Sequence, residues 1–191
     1  EGIVCGGESK GGKHAYMLLE ECVPPVPDIT KDEALARLAR NYFRSHTPAT
    51  LQDFVWWSGL SVTEAKQGIY LIGSELTEEQ WKGQTWYLHE SGRTRGSIKG
   101  HIRFLPPYDE LLLGYKDRTD VLLSEHCSKA FTGNGLFFPV ILYEGQIVGN
   151  WDRKAKRNGC DPGYSLFRQE SRIDEALLDK AQQQYMQFLG K

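Results

Sequence analysis

The sequence predicts a mixed α+β protein in which a helical segment precedes a β-rich segment, and three observations lead to this prediction. The chain has 191 residues, of which 40% are apolar and 25% charged, as in ordinary globular proteins. Four stretches in the first half carry the hydroxyl-x-x-acid or amide spacing of a helical capping box. The second half has apolar runs separated by a proline pair and a Glu-Gly turn, which is typical of strands.

The N-terminal segment predicts a β-hairpin. Two apolar runs, 3–5 and 15–19, flank GESKGGKH at 7–14. That segment has the glycine and lysine spacing of a phosphate-binding loop. However, the residues after Lys13 are β-like and end at prolines, so no helix N-terminus is available for a phosphate. We therefore predict no nucleotide cofactor and assign Lys10 and Lys13 to the tip of the hairpin.

Capping patterns and apolar spacing predict the elements of the next segment. The first helix spans about 31–45 and the second about 51–58, and a third begins after Ser61. The apolar face of the first helix consists of Leu35, Leu38 and Tyr42. The capping pattern at 77–80 predicts a further helix start, and 85–89 predicts a strand. Helices, a tight turn and strands in this order are typical of a winged helix-turn-helix.

The predicted third helix is a poor reader of DNA bases. Its outward residues are expected to be Thr63, Glu64, Lys66, Gln67 and Tyr70. The one acid and the one base cancel, and arginine, the commonest reader of guanine, is missing. Gly68 also lowers the helix propensity. A helix-turn-helix used for packing or for protein contact therefore stays open as an alternative.

The residues after 98 predict a β-rich region that is closed by a helix. Residues 138–151 predict two strands joined through Glu144-Gly145, and 164–169 predict another strand. A final helix is predicted after a cap at 171–174. Its apolar face, which we expect to pack on a sheet, consists of Ile173, Leu177, Ala181 and Phe188.

The remaining chemical signals predict no metal site, no catalytic site and no membrane span. The histidines have no metal-ligand spacing, and no apolar run reaches the roughly 20 residues of a membrane span. Asp109 and Glu110 fit a capped turn better than acid/base chemistry, although a hydrolase that uses Asp109, Glu110 or His101 stays open. Cys5 and Cys22 could face each other across the hairpin, but reduced core thiols in a cytoplasmic protein are favoured.

Basic residues cluster although the net charge of −2 argues against indiscriminate coating of nucleic acid. One cluster consists of Arg93, Arg95, Lys99 and Arg103. The other, in WDRKAKR, consists of Arg153, Lys154, Lys156 and Arg157 against Asp152. Phosphate contact and a solvated loop are both compatible with such clusters. Together with Lys10, Lys13 and Lys66, these residues are the candidates for DNA contact.

Three stretches, taken in order, resemble a known family. They are LARNYFRSHTPATLQDFVWWSGLSVTEAK, LPPYDELLLGYKDR and GLFFPVILYEGQIVGNWDRK. Over about residues 3–160 the chain resembles the bacterial winged-helix DNA-binding proteins related to AlkZ (YcaQ). The resemblance implies tandem winged helices followed by a small β-barrel-like region. It also implies kinship with the characterised branch of the family. That branch comprises DNA glycosylases that act on alkylated bases and interstrand cross-links, without a metal or nucleotide cofactor.

The resemblance implies three segments and no catalytic residue. Residues 1–27 would be the wing hairpin of a preceding, truncated winged helix with a linker, 28–97 a winged helix-turn-helix domain, and 98–191 a β-rich domain with a closing helix. The catalytic Gln-x-Gln or Gln-x-Asp motif of the family lies near the N-terminus of its members, in a region that this sequence lacks. The run 182–184 (Gln-Gln-Gln) matches the letters but lies in the predicted last helix.

These observations predict a DNA-binding fragment of an AlkZ-like winged-helix protein in the bacterial cytoplasm. Its expected partners are double-stranded DNA and the missing N-terminal half of its own chain. The full-length protein would be a DNA repair glycosylase, and no cofactor is predicted. The alternative is a protein-interaction or scaffold module that reuses a winged-helix fold without DNA binding.

Overall fold

The computed structural model divides the chain into two compact units, Glu1–Ala34 and Leu35–Lys191. The described residues are 3–25, 27–92, 96–156, 159–168 and 173–189. None of the helices in these ranges combines the length and the apolar character that a membrane span requires.

The first unit contains a two-stranded antiparallel hairpin. Its elements are β1 (Val4–Lys10), β2 (Lys13–Leu18) and the short helix α1 (Leu19–Cys22). Lys10 pairs with Lys13, and the turn between them consists of Gly11 and Gly12. Both glycines have positive φ, which glycine adopts without a steric penalty. The predicted hairpin and its lysine-flanked tip are confirmed.

Two free thiols lie in this unit. Cys5 is half-buried and Cys22 is exposed. A hydrogen bond with Cys5, together with partial burial, raises the pKa of Cys22 above its usual range. The two side chains thus lie together, but the prediction of a core thiol is wrong for Cys22 because that side chain contacts solvent.

Three helices and a three-stranded antiparallel sheet come next along the chain. The helices are α2 (Lys31–Ser45), α3 (Leu51–Ser58) and α4 (Val62–Leu71). The strands are β3 (Ala49–Thr50), β4 (Leu76–Trp81) and β5 (Gln84–His89). The strand order is β3-β5-β4, so β5 is central and the β4–β5 hairpin forms one side of the sheet.

Capping boxes set the starts of α3 and α4. Thr50 Oγ1 accepts the amide of Asp53 at 3.2 Å, and the Asp53 carboxylate accepts the amide of Thr50 at 2.9 Å. Ser61 and Glu64 make the same reciprocal pair. Gly59, at φ 70°, ends α3 in the left-handed conformation. The predicted positions of these two helices are confirmed.

The capping pattern at Thr77 does not start a helix. The residues Leu76–Trp81 form β4, which pairs along its whole length with Gln84–His89. Lys82 and Gly83, both at positive φ, form the two-residue turn that a tight hairpin favours. The helix prediction was wrong because pairing with the apolar strand β5 outweighs a local capping pattern that no helical apolar repeat follows.

A buried core fills the space between the helices and the sheet. It consists of Ala39, Tyr42, Phe43, Ala49, Phe54, Ala65, Ile69 and Ile72. Leu35 is also buried and Leu38 packs against this core, so the predicted face of the first helix is confirmed. A Cβ at Gly68 would lie 3.1 Å from the Leu35 carbonyl oxygen and 3.3 Å from Ala39 Cβ. Glycine at this position therefore lets α4 approach α2 closely.

The rest of the chain is built on an open, four-stranded antiparallel sheet. Its strands are β6 (Ile102–Leu105), β7 (Val140–Tyr143), β8 (Gln146–Lys156) and β9 (Gly159–Leu166), in the order β6-β7-β8-β9. The turn Glu144-Gly145 joins β7 to β8 as predicted, with both residues at positive φ. In the described residues, β6 and β9 are not paired with each other, so the expected β-barrel-like region is an open sheet. The strand predicted at 164–169 begins earlier and ends at Leu166.

Three helices accompany this sheet: α5 (Glu110–Leu113), α6 (Cys127–Ala130) and α7 (Glu175–Leu189). Asp174 Oδ1 accepts the amide of Ala176 at 2.9 Å and so starts α7. The other predicted cap residues, Ser171 and Arg172, lie outside the described residues. The prediction that α7 packs on the sheet is confirmed by the shared core of Ile102, Ile141, Trp151, Ile173, Leu178 and Ala181, against which Leu177 packs. The prediction for Phe188 is wrong, since it is 72% exposed, one turn beyond the packed Tyr185.

Candidate nucleic-acid interface

The predicted DNA-contacting residues fall into three groups. Those with described side chains are Lys13, Lys66, Lys99 and Arg103, all of which are exposed. In the second group, only the backbone is described: Lys10 on β1 and Arg153, Lys154 and Lys156 on β8. Those outside the described residues are Arg93, Arg95 and Arg157.

The described residues of the two basic clusters lie toward opposite ends of the four-stranded sheet. The amide of Gly100 donates to Glu144 Oε1 at 2.7 Å, so Lys99 lies beside the turn between β7 and β8. From that turn, β8 runs ten residues to Lys156, which corresponds to about 33 Å of extended strand. Arg103, opposite Leu142 on β7, lies on the same side as Lys99. The structure therefore keeps the described parts of the two clusters apart, and β8 runs from one to the other.

A row of arginines on α2 was missed by the sequence analysis. Arg37, Arg40 and Arg44 recur at helical spacing, which was the available signal. Arg40 forms a forked pair with Glu75, with Nε to Oε2 and Nη2 to Oε1 both at 2.8 Å. This pair holds the pKa of Glu75 below its usual range. Arg44, one turn further on, is exposed.

An open basin of about 610 Å³ lies beside this row. Its lining consists of Arg40, Arg44, Glu75, His89, Glu90 and Ser91. The hydroxyl of Ser91 donates to the Arg44 carbonyl at 3.3 Å, which places the backbone of Arg44 next to the short segment 90–92. Glu75 and Glu90 offset the positive charge, so the basin contributes one exposed cation rather than a strong anion site.

The carboxylates considered for hydrolysis make structural contacts. Asp109 Oδ1 accepts the amide of Leu111 at 2.9 Å and caps α5, as predicted. Glu110 Oε2 accepts the indole N–H of Trp57 at 3.2 Å and lies 3.3 Å from His46 Nε2. Within the described ranges, no group of three or more His, Cys, Asp and Glu side chains is placed to hold a metal ion.

Hydrogen bonds from the segment around α5 connect the β-rich half to α2 and α3. Its hydrogen bonds are Tyr42 Oη to the Gly114 carbonyl at 2.8 Å, Trp56 Nε1 to the Leu113 carbonyl at 3.2 Å, Trp57 Nε1 to Glu110, and the Lys116 amide to Asp53 Oδ1 at 2.8 Å. The helices from Leu35 onward and the four-stranded sheet accordingly belong to one compact unit.

Arg118 contacts the same segment and three aromatic rings around it. Its guanidinium lies 5.2 to 5.6 Å from the rings of Trp56, Phe131 and Phe137. It also donates to the carbonyls of Leu112 and Lys116. Burial lowers the pKa of Arg118 below its usual range. Trp56 is 53% exposed, so its ring lies partly in the core and partly at the surface.

Comparison with known proteins identifies the family. The family model described as DNA glycosylase AlkZ-like matches residues 2–188. The chain belongs to the AlkZ-like DNA glycosylase family. An interstrand DNA cross-link repair glycosylase of Streptomyces sahachiroi is 27% identical over 164 residues, which cover 79% of this chain and 43% of that protein.

The AlkZ-like fold is also supported by a solved structure. The DNA glycosylase AlkZ of S. sahachiroi matches with a TM-score of 0.79 and 24% identity, over 94% of this chain and 50% of that chain. The chain thus spans about half the length of the relatives it matches. The mixed helix and sheet architecture of the AlkZ-like fold agrees with the predicted fold class.

Proposed function

We propose that this chain is the part of an AlkZ-like DNA glycosylase that binds double-stranded DNA through phosphate contacts. The observation that carries the proposal is the match to the AlkZ-like DNA glycosylase family over residues 2–188. The S. sahachiroi relative repairs interstrand DNA cross-links, so its substrate is DNA.

The helical segment has the element order of a winged helix-turn-helix. The order α2-β3-α3-α4-β4-β5, with β5 central in its sheet, supports a winged helix with β4–β5 as its wing. We assign 28–97 to this domain, 1–27 to the wing hairpin of a preceding winged helix with a linker, and 98–191 to a β-rich domain with a closing helix. Helix α4 presents Lys66 and the 79% exposed Tyr70 to solvent.

The spacing of the basic clusters fits duplex DNA. Between the described parts of the two clusters, β8 provides about 20 Å of extended strand from Ile147, which is level with Arg103, to Arg153, and about 33 Å from the turn near Lys99 to Lys156. One turn of B-DNA rises by about 34–36 Å. The two clusters can therefore reach phosphates up to about one helical turn apart on the same side of a duplex. Contact at these two places would fix the orientation of the protein without reading sequence.

We assign base excision to the full-length protein and not to the residues described. The relatives are about twice as long as this chain, and we place the excision chemistry in the half that it does not span. That half of its own chain is then its second partner, and the bacterial cytoplasm is its place of action. A glycosylase must also extrude its target base from the duplex, and the phosphate contacts would hold the duplex during that step.

Fluorescence anisotropy with a short duplex tests the proposal. If about four phosphates are contacted, the affinity should fall roughly a hundredfold between about 50 and 200 mM salt. Replacing Arg93 and Arg95 together by alanine should weaken binding to any sequence and flatten the salt dependence. An unchanged affinity in that variant would remove this loop from the interface.

A protein-interaction module is the second candidate function. The specific observation in its favour is the hairpin of the first unit, where Ile3, Val4 and Tyr16 are 64%, 56% and 77% exposed. A two-stranded hairpin is marginally stable by itself, and exposed apolar side chains favour a covering partner. A stable dimer in light scattering, without DNA binding at about 50 mM salt, would favour this function over the first.

A further inference from the structure

A separate cleft lies between the β4–β5 hairpin and the segment that follows α5. Its volume is about 400 Å³, within the range of about 300–1,000 Å³ that is usual for small-molecule sites. Its apolar lining consists of Pro48, Trp81, Trp86, Leu88, Leu111, Tyr115 and Val121. All of these residues belong to the second unit, so the cleft is a feature of that unit alone.

Two indole rings form its aromatic wall. Trp81 and Trp86 meet edge to face, with ring centroids 5.4 Å apart, and the Trp86 indole N–H donates to the Trp81 carbonyl at 3.3 Å. Trp81 is 51% exposed, so its ring is accessible from the cleft mouth. Lys82 Nζ already lies 4.2 Å from the Trp81 ring centroid. The folded protein therefore already places one positive charge against this indole ring.

The rim of the cleft is acidic. The lining residues Glu79, Asp117 and Asp120 all have exposed side chains. Asp120 is paired with Lys82. Asp117 accepts the amide and the hydroxyl of Thr119, and these bonds hold the pKa of Asp117 below its usual range. Asp117 is thus an anion at neutral pH, and Glu79 makes no ion pair with a described side chain.

The one arginine in the lining does not reverse this charge. The guanidinium of Arg118 is held by the carbonyls of Leu112 and Lys116 and by three aromatic rings. Its charge also acts on the adjacent carboxylate of Asp117, so it offsets Asp117 rather than Glu79. A phosphate would meet at this mouth the carboxylate of Glu79, which is unpaired among the described residues, so the cleft does not extend the proposed DNA surface.

We propose that this cleft binds a flat organic cation, that is, a bicyclic aromatic ring system with a delocalised positive charge. Indole faces attract such a cation through the ring quadrupole, and the apolar floor contributes by burying the ring. The carboxylate of Glu79 supplies the opposite charge. This proposal is independent of DNA binding, because the cleft shares no residue with the two basic clusters.

The probe is N-methylquinolinium, and the matched neutral probe is 4-methylquinoline, which has the same number of non-hydrogen atoms and is uncharged near neutral pH. The indole N–H signals of the tryptophans report on the site in a two-dimensional NMR titration of the whole chain. We expect saturable shifts of Trp81 and Trp86, with Trp151 unmoved. The charged probe should bind about tenfold tighter than the neutral one, through cation–π and carboxylate contacts together.

Glu79→Gln tests the acidic rim, because the exposed side chain keeps its size and loses its charge. The substitution should weaken the binding of N-methylquinolinium about threefold and leave the affinity for 4-methylquinoline unchanged. Glu175→Gln on α7, outside the cleft lining, is the matched control and should change neither. Equal affinity for the two probes, or no saturable shift of Trp81 and Trp86, would overturn the proposal. Binding of arginine amide but not N-methylquinolinium would instead assign the cleft to a basic side chain of a partner and also overturn it.

Discussion

The phenol of Tyr42 donates a 2.8 Å hydrogen bond to the backbone carbonyl of Gly114, 72 residues later in the chain. Tyr42 lies in the core between α2 and α3, and Gly114 directly follows α5. Burial, with a smaller contribution from the charge of Asp53, raises the pKa of Tyr42 well above its usual range. The hydroxyl therefore remains a donor at all physiological pH values and links the helical half of the unit to its β-rich half.

Tyr42→Phe should lower the free energy of unfolding by about 1–3 kcal/mol, because it leaves the buried Gly114 carbonyl without its donor. Urea unfolding followed by tryptophan fluorescence measures the change. Tyr70→Phe is the control, since Tyr70 is 79% exposed on α4, and it should change stability by less than about 0.5 kcal/mol. Equal effects of the two substitutions would show that the Tyr42 bond is not a stabilising link.

Gly114→Ala should destabilise the protein, because the glycine lies against His46 and the backbone of α5. A Cβ at this position would lie 2.4 Å from His46 Cδ2 and 2.8 Å from the Glu110 carbonyl oxygen. Because the carbonyl belongs to the backbone of α5, relief requires a shift of the helix, with an expected loss of about 2 kcal/mol or more. Gly73→Ala is the control, since its Cβ meets no atom within 4 Å. A loss no larger than that of the control would contradict the close approach.

The two capping boxes should differ in strength. Asp53→Ala should cost about 2–4 kcal/mol, because the buried carboxylate of Asp53 also accepts the amide of Lys116 at 2.8 Å. Glu64→Ala should cost about 1 kcal/mol or less, since the cap at Ser61 is exposed. Thermal unfolding of both variants gives the comparison. Similar losses would mean that the bond to Lys116 contributes little.

The pair of Arg40 and Glu75 predicts acid sensitivity. The folded state holds the pKa of Glu75 below its usual 4.5, mainly through the hydrogen bonds from Arg40. The stabilisation is therefore present above pH 4.5 and is lost as the pH falls through the lowered pKa. Glu75→Gln should remove this part of the pH dependence in urea unfolding. Arg40→Gln should remove the same part of the pH dependence. If the free energy of unfolding of that variant still fell at low pH as much as in the original protein, the assignment to this pair would be wrong.

The separation of the basic clusters predicts additive effects on DNA binding. On a duplex of about 20 base pairs, Lys99→Ala with Arg103→Ala should lower the salt slope by about 2, one unit for each lost phosphate contact. Arg153→Ala with Lys154→Ala should do the same, and the quadruple variant should show the sum. Lys180→Ala on the exposed surface of α7 is the control and should leave the slope unchanged. An effect of only one pair would place the duplex at one end of the sheet.

Local signals accounted for most of the secondary structure. The capping boxes at Thr50 and Ser61 and the turn at Glu144-Gly145 involve residues within four positions of one another, so a short stretch of chain determines them. The capping pattern at Thr77 has the same local form, but β4 forms there because β5 is available as a partner. The family was recognisable because three stretches of its pattern recur in order, and the match over 2–188 agrees.

The sequence by itself determined the hairpin, the three helices after Thr30, the final helix and the family. Only the tertiary structure decided that Tyr42 meets Gly114, that Asp53 meets the Lys116 amide, and that the four-stranded sheet stays open. It also decided that β8 separates the basic clusters and that an acid-rimmed cleft opens beside Trp81. The physical reason is that these relationships join residues far apart in the chain. Their positions depend on how whole elements pack, and no short sequence pattern encodes that.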